Sequence, residues 1–285
     1  MKLTIPRTTD NINFNIEILN MLNVPFEVQH GTYTTTIVTE EKKVKYMMNK
    51  YNNRVFACAK IIKRDVLKSP KAQEIMADKF FKINYGFSNL VESYEAERVL
   101  NIDISSAYAS CLVNNKLITL ETYERISKLP KVERLPVVGM LATSYTKFIY
   151  DKGECIDVKV HRADTANVFY YLIDEINYVM QEIRHLLGKH FIFYWVDGVF
   201  FDEKTPKETI KEVEHFLLEL GYRYKYEAVK DFRIDSNQKS LIIKMNKNNE
   251  FKQYSIHHDN VGESVKNYLL KGIKQQTTTP NVSKI

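Results

Sequence analysis

Between Asp164 and Leu187 the apolar residues Phe169, Leu172, Ile173, Ile176, Val179, Met180, Ile183 and Leu187 fall on one helical stripe, and Gly188 follows. That period predicts a long amphipathic helix capped near Asp164 and packed on a core. The next stretch, HFIFYWVDGVFFDE, consists of two aromatic and apolar runs meeting at Asp197-Gly198. This dipeptide favours a two-residue type I′ turn, so the stretch predicts a β-hairpin. Thr205-Pro206 supplies an N-cap and a first-turn proline for a helix to about Leu220, which Gly221 closes. YRYKYEAV then reads as a strand, with SLIIKM and FKQYSIH as a further strand pair.

Upstream, ERVLNID is a short branched apolar run ending at Asp103, and SSAYASCLVNN has helix-compatible spacing. A buried strand therefore delivers Asp103 to a strand-to-helix junction. Residues 113–163, with the two prolines of KLPKVERLPVV, read as an insertion. Nearer the N-terminus, 12–22 and 58–82 read as helical and 32–38 as extended. From residue 98 the order is strand, helix, long helix, strand, turn, strand, helix, strand, the split βαβ pattern of a ferredoxin-like α+β sheet. In that sheet the first strand neighbours the hairpin, bringing Asp103 towards Asp197. Two carboxylates on adjacent strand ends can share divalent cations, which offset their repulsion and clamp a phosphate.

Composition narrows the classes. The chain has 285 residues, 44% of them hydrophobic, enough for a packed core. It has no apolar run of the roughly 20 residues that span a bilayer and no apolar signal core at its start, so a soluble, cytoplasmic protein with no membrane partner is expected. Cys58, Cys111 and Cys155 are far apart with no CxxC pair, which argues against a disulfide framework or zinc site. A Gly-rich phosphate loop is absent. The formal net charge is +6, and residues 1–90 hold all of the excess, 14 basic against 8 acidic side chains. Within it, residues 42–82, which include Lys60, Lys63 and Arg64, hold 12 basic side chains against 3 acidic ones and predict either a polyanion-facing surface or a solvated helix face.

NIDISSAYAS resembles motif A of family B DNA polymerases: Asp103, Ser106, Tyr108 and Ser110 match, while Ala107 and Ala109 replace Leu and Pro. FYWVDGVFF is similar to motif C, with Trp195 at the family's first aspartate and Asp197 at the second. Lys244, with Lys247 and Lys252, stands where the family places its duplex-contacting lysines. The resemblance covers 95–258 and implies a polymerase palm there, with the insertion at about 113–163; charge marks 1–94 as a basic, nucleic-acid-facing segment, and 259–285 reads as a C-terminal helix and a polar, frayed tail. It implies templated synthesis from dNTPs on a DNA primer and template, with Asp103 and Asp197 holding two Mg²⁺ or Mn²⁺ ions. Tyr108 would sit beneath the sugar and reject a 2′-hydroxyl, and the amides that start the following helix would cradle the triphosphate.

The departures bear on the same reading. The fingers motif has no clear copy, leaving Lys131, Arg134 or Lys147 for the triphosphate. No proofreading exonuclease fits in the first 95 residues, and little chain remains for a thumb. The sequence therefore suggests a minimal polymerase of viral or mobile-element type, acting in the host cytoplasm if viral, or one subunit of a larger replication assembly. Two other readings stay open: a catalytically weak palm that binds nucleic acid, and an RNA-directed or primase-like palm nucleotidyltransferase. Asp197-Gly198 as a plain turn and Asp103 as a helix cap are the readings without chemistry.

Overall fold

The computed structural model describes residues 2–6, 9–31, 33–47, 53–78, 93–235, 240–245 and 251–255. The chain opens with β1 (Lys2–Pro6), α1 (Thr9–Met21), β2 (Phe26–Gly31), β3 (Thr34–Val38) and β4 (Lys43–Met47). Next come α2 (Asn53–Val66), α3 (Pro70–Ala77), β5 (Ser93–Ile104) and α4 (Ala107–Asn114). They lead to α5 (Leu120–Ser127), α6 (Lys131–Gly139), β6 (Ser144–Asp151), β7 (Glu154–Arg162) and α7 (Ala166–Leu187). The hairpin β8 (Phe191–Trp195) and β9 (Gly198–Asp202) precedes α8 (Lys207–Glu219), β10 (Tyr224–Asp235), β11 (Ser240–Met245) and β12 (Phe251–Ser255).

This mixed α+β chain forms two compact units, Met1–Phe81 with Asn115–Tyr171, and Lys82–Asn114 with Leu172–Ile285. Most of the segment read as an insertion thus clusters with the N-terminal residues. The first unit holds a sheet of order β1-β4-β3-β2-β6-β7, antiparallel except for β1 with β4. Ile12, Phe26, Val28, Ile37 and Tyr46 form a core beneath α1. The single helix expected over 58–82 is instead two. Ser69 is extended (ψ 124°) and accepts from the Ala72 amide as N-cap of α3, with Pro70 in its first turn. The residue before a proline avoids the helical region, and that ends the run.

Asp65, buried near the end of α2, accepts hydrogen bonds from the Thr119 amide and from the Thr119 and Thr122 hydroxyls at the start of α5. One carboxylate thereby satisfies donors that the first turn of a helix leaves open, and it ties 115–171 to the N-terminal chain.

The second unit holds a sheet of order β12-β11-β10-β5-β9-β8, antiparallel throughout. Ile102, Ile104, Tyr194, Val199 and Phe201 are buried there. The Tyr194 hydroxyl donates to Asn177 and accepts from Gln181, both on α7, so this buried phenol is satisfied. Two details correct the sequence reading. Trp195 pairs with Gly198, so Val196 and Asp197 form the two-residue turn and Gly198 begins β9. Pro206, not Thr205, is the N-cap of α8, and the Thr205 hydroxyl donates to the Asp202 carbonyl. Among the described residues no helix is long and apolar enough to cross a membrane. The proposed C-terminal helix and tail lie outside them.

Candidate active site

Asp103 is the penultimate residue of β5 and pairs with Gly198 on β9 and with Lys225 on β10. Directly opposed residues of antiparallel strands share a face, so Trp195, Gly198, Asp103 and Lys225 form one row across four strands. Asp197 adjoins this row in the turn, and its carbonyl accepts from the Ile104 amide at 2.8 Å. On the other side the Ser105 amide donates to the Arg223 carbonyl at 2.7 Å, which pins the end of β5 between its neighbours.

Glycine leaves the middle of the row open. A Cβ at position 198 would sit 3.5 Å from an Asp103 carboxylate oxygen and 3.4 Å from the Asn101 amide nitrogen. Asn101, buried one pleat back on the same face as Asp103, donates to the Val199 carbonyl and fixes the local register.

Backbone strain marks the two ends of the site. Val196 has φ +56° and Ser106 has φ +55°, each within three residues of one of the aspartates. A β-branched residue in the left-handed region is a genuine outlier, and such conformations persist only where surrounding structure enforces them. Ser106 immediately precedes α4, and its carbonyl accepts from the Ser110 amide, while the Ser110 hydroxyl donates to Ser105. Burial pushes the Tyr108 hydroxyl well above the ordinary tyrosine value, and the charge of Asp197 pushes in the same direction. Tyr108 is thus a neutral phenol within electrostatic reach of Asp197.

Asp103, Asp197, Ser106 and Tyr108 therefore converge in the second unit. The other residues singled out from sequence are dispersed. Lys131 opens α6 and is exposed, Arg134 donates to the Ser127 carbonyl, and Lys147 pairs with Glu27 at 2.6 Å. Lys60 and Lys63 line a cleft in the first unit, whereas Arg64 turns to Asp65 at 3.3 Å. Lys244 lies on β11 opposite Lys230, and Lys252 lies on β12 opposite Ile243. Lys247 lies outside the described residues. Lys225 and Asn101 were not singled out from sequence; alternation in YRYKYEAV places Lys225 on a face, but only the strand register sets it across from Asp103.

Among the described residues no group of three or more His, Cys, Asp or Glu is placed to hold a metal. A pair of carboxylates nonetheless suits Mg²⁺, which takes one or two protein carboxylates and fills its octahedron with water and phosphate oxygens. No protein-family model matches the chain, and no curated protein matches it either.

Proposed function

We propose that the second unit is a family B-like polymerase palm that carries out template-directed DNA synthesis from dNTPs. The observation that carries this reading is the placement of Asp103 and Asp197 at adjoining positions of the paired β5 and β9 end, beside a glycine that keeps the space between strands clear. The order β10-β5-β9-β8, with helices connecting β5 to β8 and β9 to β10, supports a ferredoxin-like palm.

Asp103 and Asp197 would hold Mg²⁺ or Mn²⁺, which supplies charge neutralisation of the triphosphate and of the attacking oxygen. The primer 3′-oxygen forms a bond to the α-phosphorus as the bond to pyrophosphate breaks, and the hydroxyl proton passes to water. Lys225 supplies a cation beside the pair, and the first amides of α4 face anionic charge as helix N-termini do. Tyr108 would limit the space beneath the sugar. Incorporation of dNTPs on a primed DNA template, dependent on a divalent cation, tests the reading; binding without incorporation would count against it.

A second reading, a catalytically weak palm that binds nucleic acid or serves an accessory role, is favoured by one observation. Trp195 occupies the row at the position where the family resemblance expects another carboxylate.

A further inference from the structure

A cleft of about 570 Å³ lies in the first unit, between α2 and the ends of β6 and β7. Phe56, Lys60 and Lys63 follow one another at helical spacing along the α2 face that lines it, while Val55, Cys58 and Ile62 are buried. Arg162 from the end of β7 and Lys45 from β4 add two more cations, against one carboxylate in the lining, Asp164. Lys60, Lys63 and Arg162 are exposed, and none has a carboxylate within ion-pair distance among the described residues.

The floor is aromatic. Tyr145 pairs with His161 across β6 and β7, and their rings stack at 4.8 Å and 13°. On its other side Tyr145 pairs with Gly31 of β2. His161 stacks on one face of the ring, and the cross-strand neighbour on the other side of Tyr145 has no side chain. Tyr145 is 37% exposed and lines the cleft together with these cations.

We propose that this cleft is a slot for single-stranded nucleic acid, in which phosphates meet Lys60, Lys63 and Arg162 while one base stacks on Tyr145 above Gly31. The volume suits a nucleotide-sized ligand. Cations tracking a backbone beside an exposed ring are the physical elements of sequence-tolerant strand binding. A duplex offers the same phosphates but keeps its bases stacked, so it cannot use the ring. The inference deepens the reading above by naming the strand the basic surface holds, and shares with it only the ligand class. Binding is measured without nucleotide or divalent cation, so its failure and the failure of synthesis are separate results.

The test is fluorescence anisotropy of the full chain with labelled oligodeoxyuridylate, oligouridylate and a blunt duplex of equal length. Single strands bind more tightly than duplex, and whichever of the two strands binds better through Tyr145 identifies the sugar. Tyr145→Ala weakens binding roughly 5- to 100-fold, while Tyr145→Phe retains it. Gly31→Val, at a position of ordinary φ where a Cβ meets Tyr145 at 3.5 Å, fills the slot and weakens binding similarly. Lys60→Glu with Lys63→Glu lowers the salt slope by about 1.4. Equal affinity for duplex, or folded Tyr145→Ala and Gly31→Val variants that bind like wild type, overturns the proposal. If those variants do not fold, photocrosslinking of a 5-iododeoxyuridine strand to the wild type decides: adducts on the Tyr145 peptide support the slot, and adducts confined to other segments refute it.

Discussion

Gly198 faces Asp103 across the β5–β9 pair, and the first carbon of any side chain placed there would meet an Asp103 carboxylate oxygen at 3.5 Å. That is ordinary van der Waals contact, and Gly198 does not have a positive φ. Gly198→Ala is therefore expected to fold with a melting temperature close to wild type. It should slow nucleotide incorporation roughly tenfold by crowding the carboxylate proposed to hold the metal, and Gly198→Val should slow it further. Paired melting curves and extension rates check this.

The turn beside Asp197 stores strain. Val196 sits at φ +56°, the first position of a two-residue turn, where glycine is normally found. Val196→Gly relieves a left-handed conformation costing about 1–2 kcal/mol and loses about 0.5–1 kcal/mol to the greater freedom of the unfolded chain. A net gain of up to about 1.5 kcal/mol in denaturant unfolding is expected, together with slower synthesis if the strained turn aims Asp197.

Tyr108 gives a test of sugar selection. Tyr108→Phe should change little, since the proposed role depends on the ring's bulk. Tyr108→Val should raise the use of rNTPs relative to dNTPs by about tenfold or more, because even a single missing carbon group is worth about that much in a pocket and this change removes the whole ring. Competition between the two nucleotide types on one template measures the ratio.

Stability should fall at both ends of the pH range. Burial alone would raise the Asp65 carboxyl, but the bonds from Thr122 and Thr119 and from Arg64 hold it below the usual aspartate value. A depressed carboxyl contributes stability that is complete above the unfolded value of about 4 and vanishes as pH falls through the folded value. Burial raises Tyr108, Tyr94 and Tyr226, so their contribution is complete below about pH 10 and is lost as pH rises. Asp65→Asn should flatten the acid limb of a melting-temperature profile and leave the alkaline limb in place.

The second unit was largely legible in sequence because its signals are local. The stripe of α7, the aromatic runs of the hairpin and Gly221 after α8 each follow from a short window. The turn was displaced by one residue because Asp-Gly suits a type I′ turn, whereas cross-strand register put Trp195 opposite Gly198 and forced Val196 into the left-handed region. What the chain does with 115–171 was not legible. Its pairing of β6 with β2 joins residues more than a hundred positions apart, and Asp65 reaches Thr119 over a similarly unsignalled separation. For the same reason Tyr145, Gly31 and Lys225 carry no local motif; long-range register gives them their neighbours.

The most direct test of the central claim compares metal-dependent primer extension by wild type, Asp103→Asn and Asp197→Asn, with melting temperature measured alongside. The account predicts extension by wild type, a loss of about a thousandfold or more in each variant, and unchanged or raised thermal stability as carboxylate repulsion is relieved. Near-normal extension by either folded variant would contradict it.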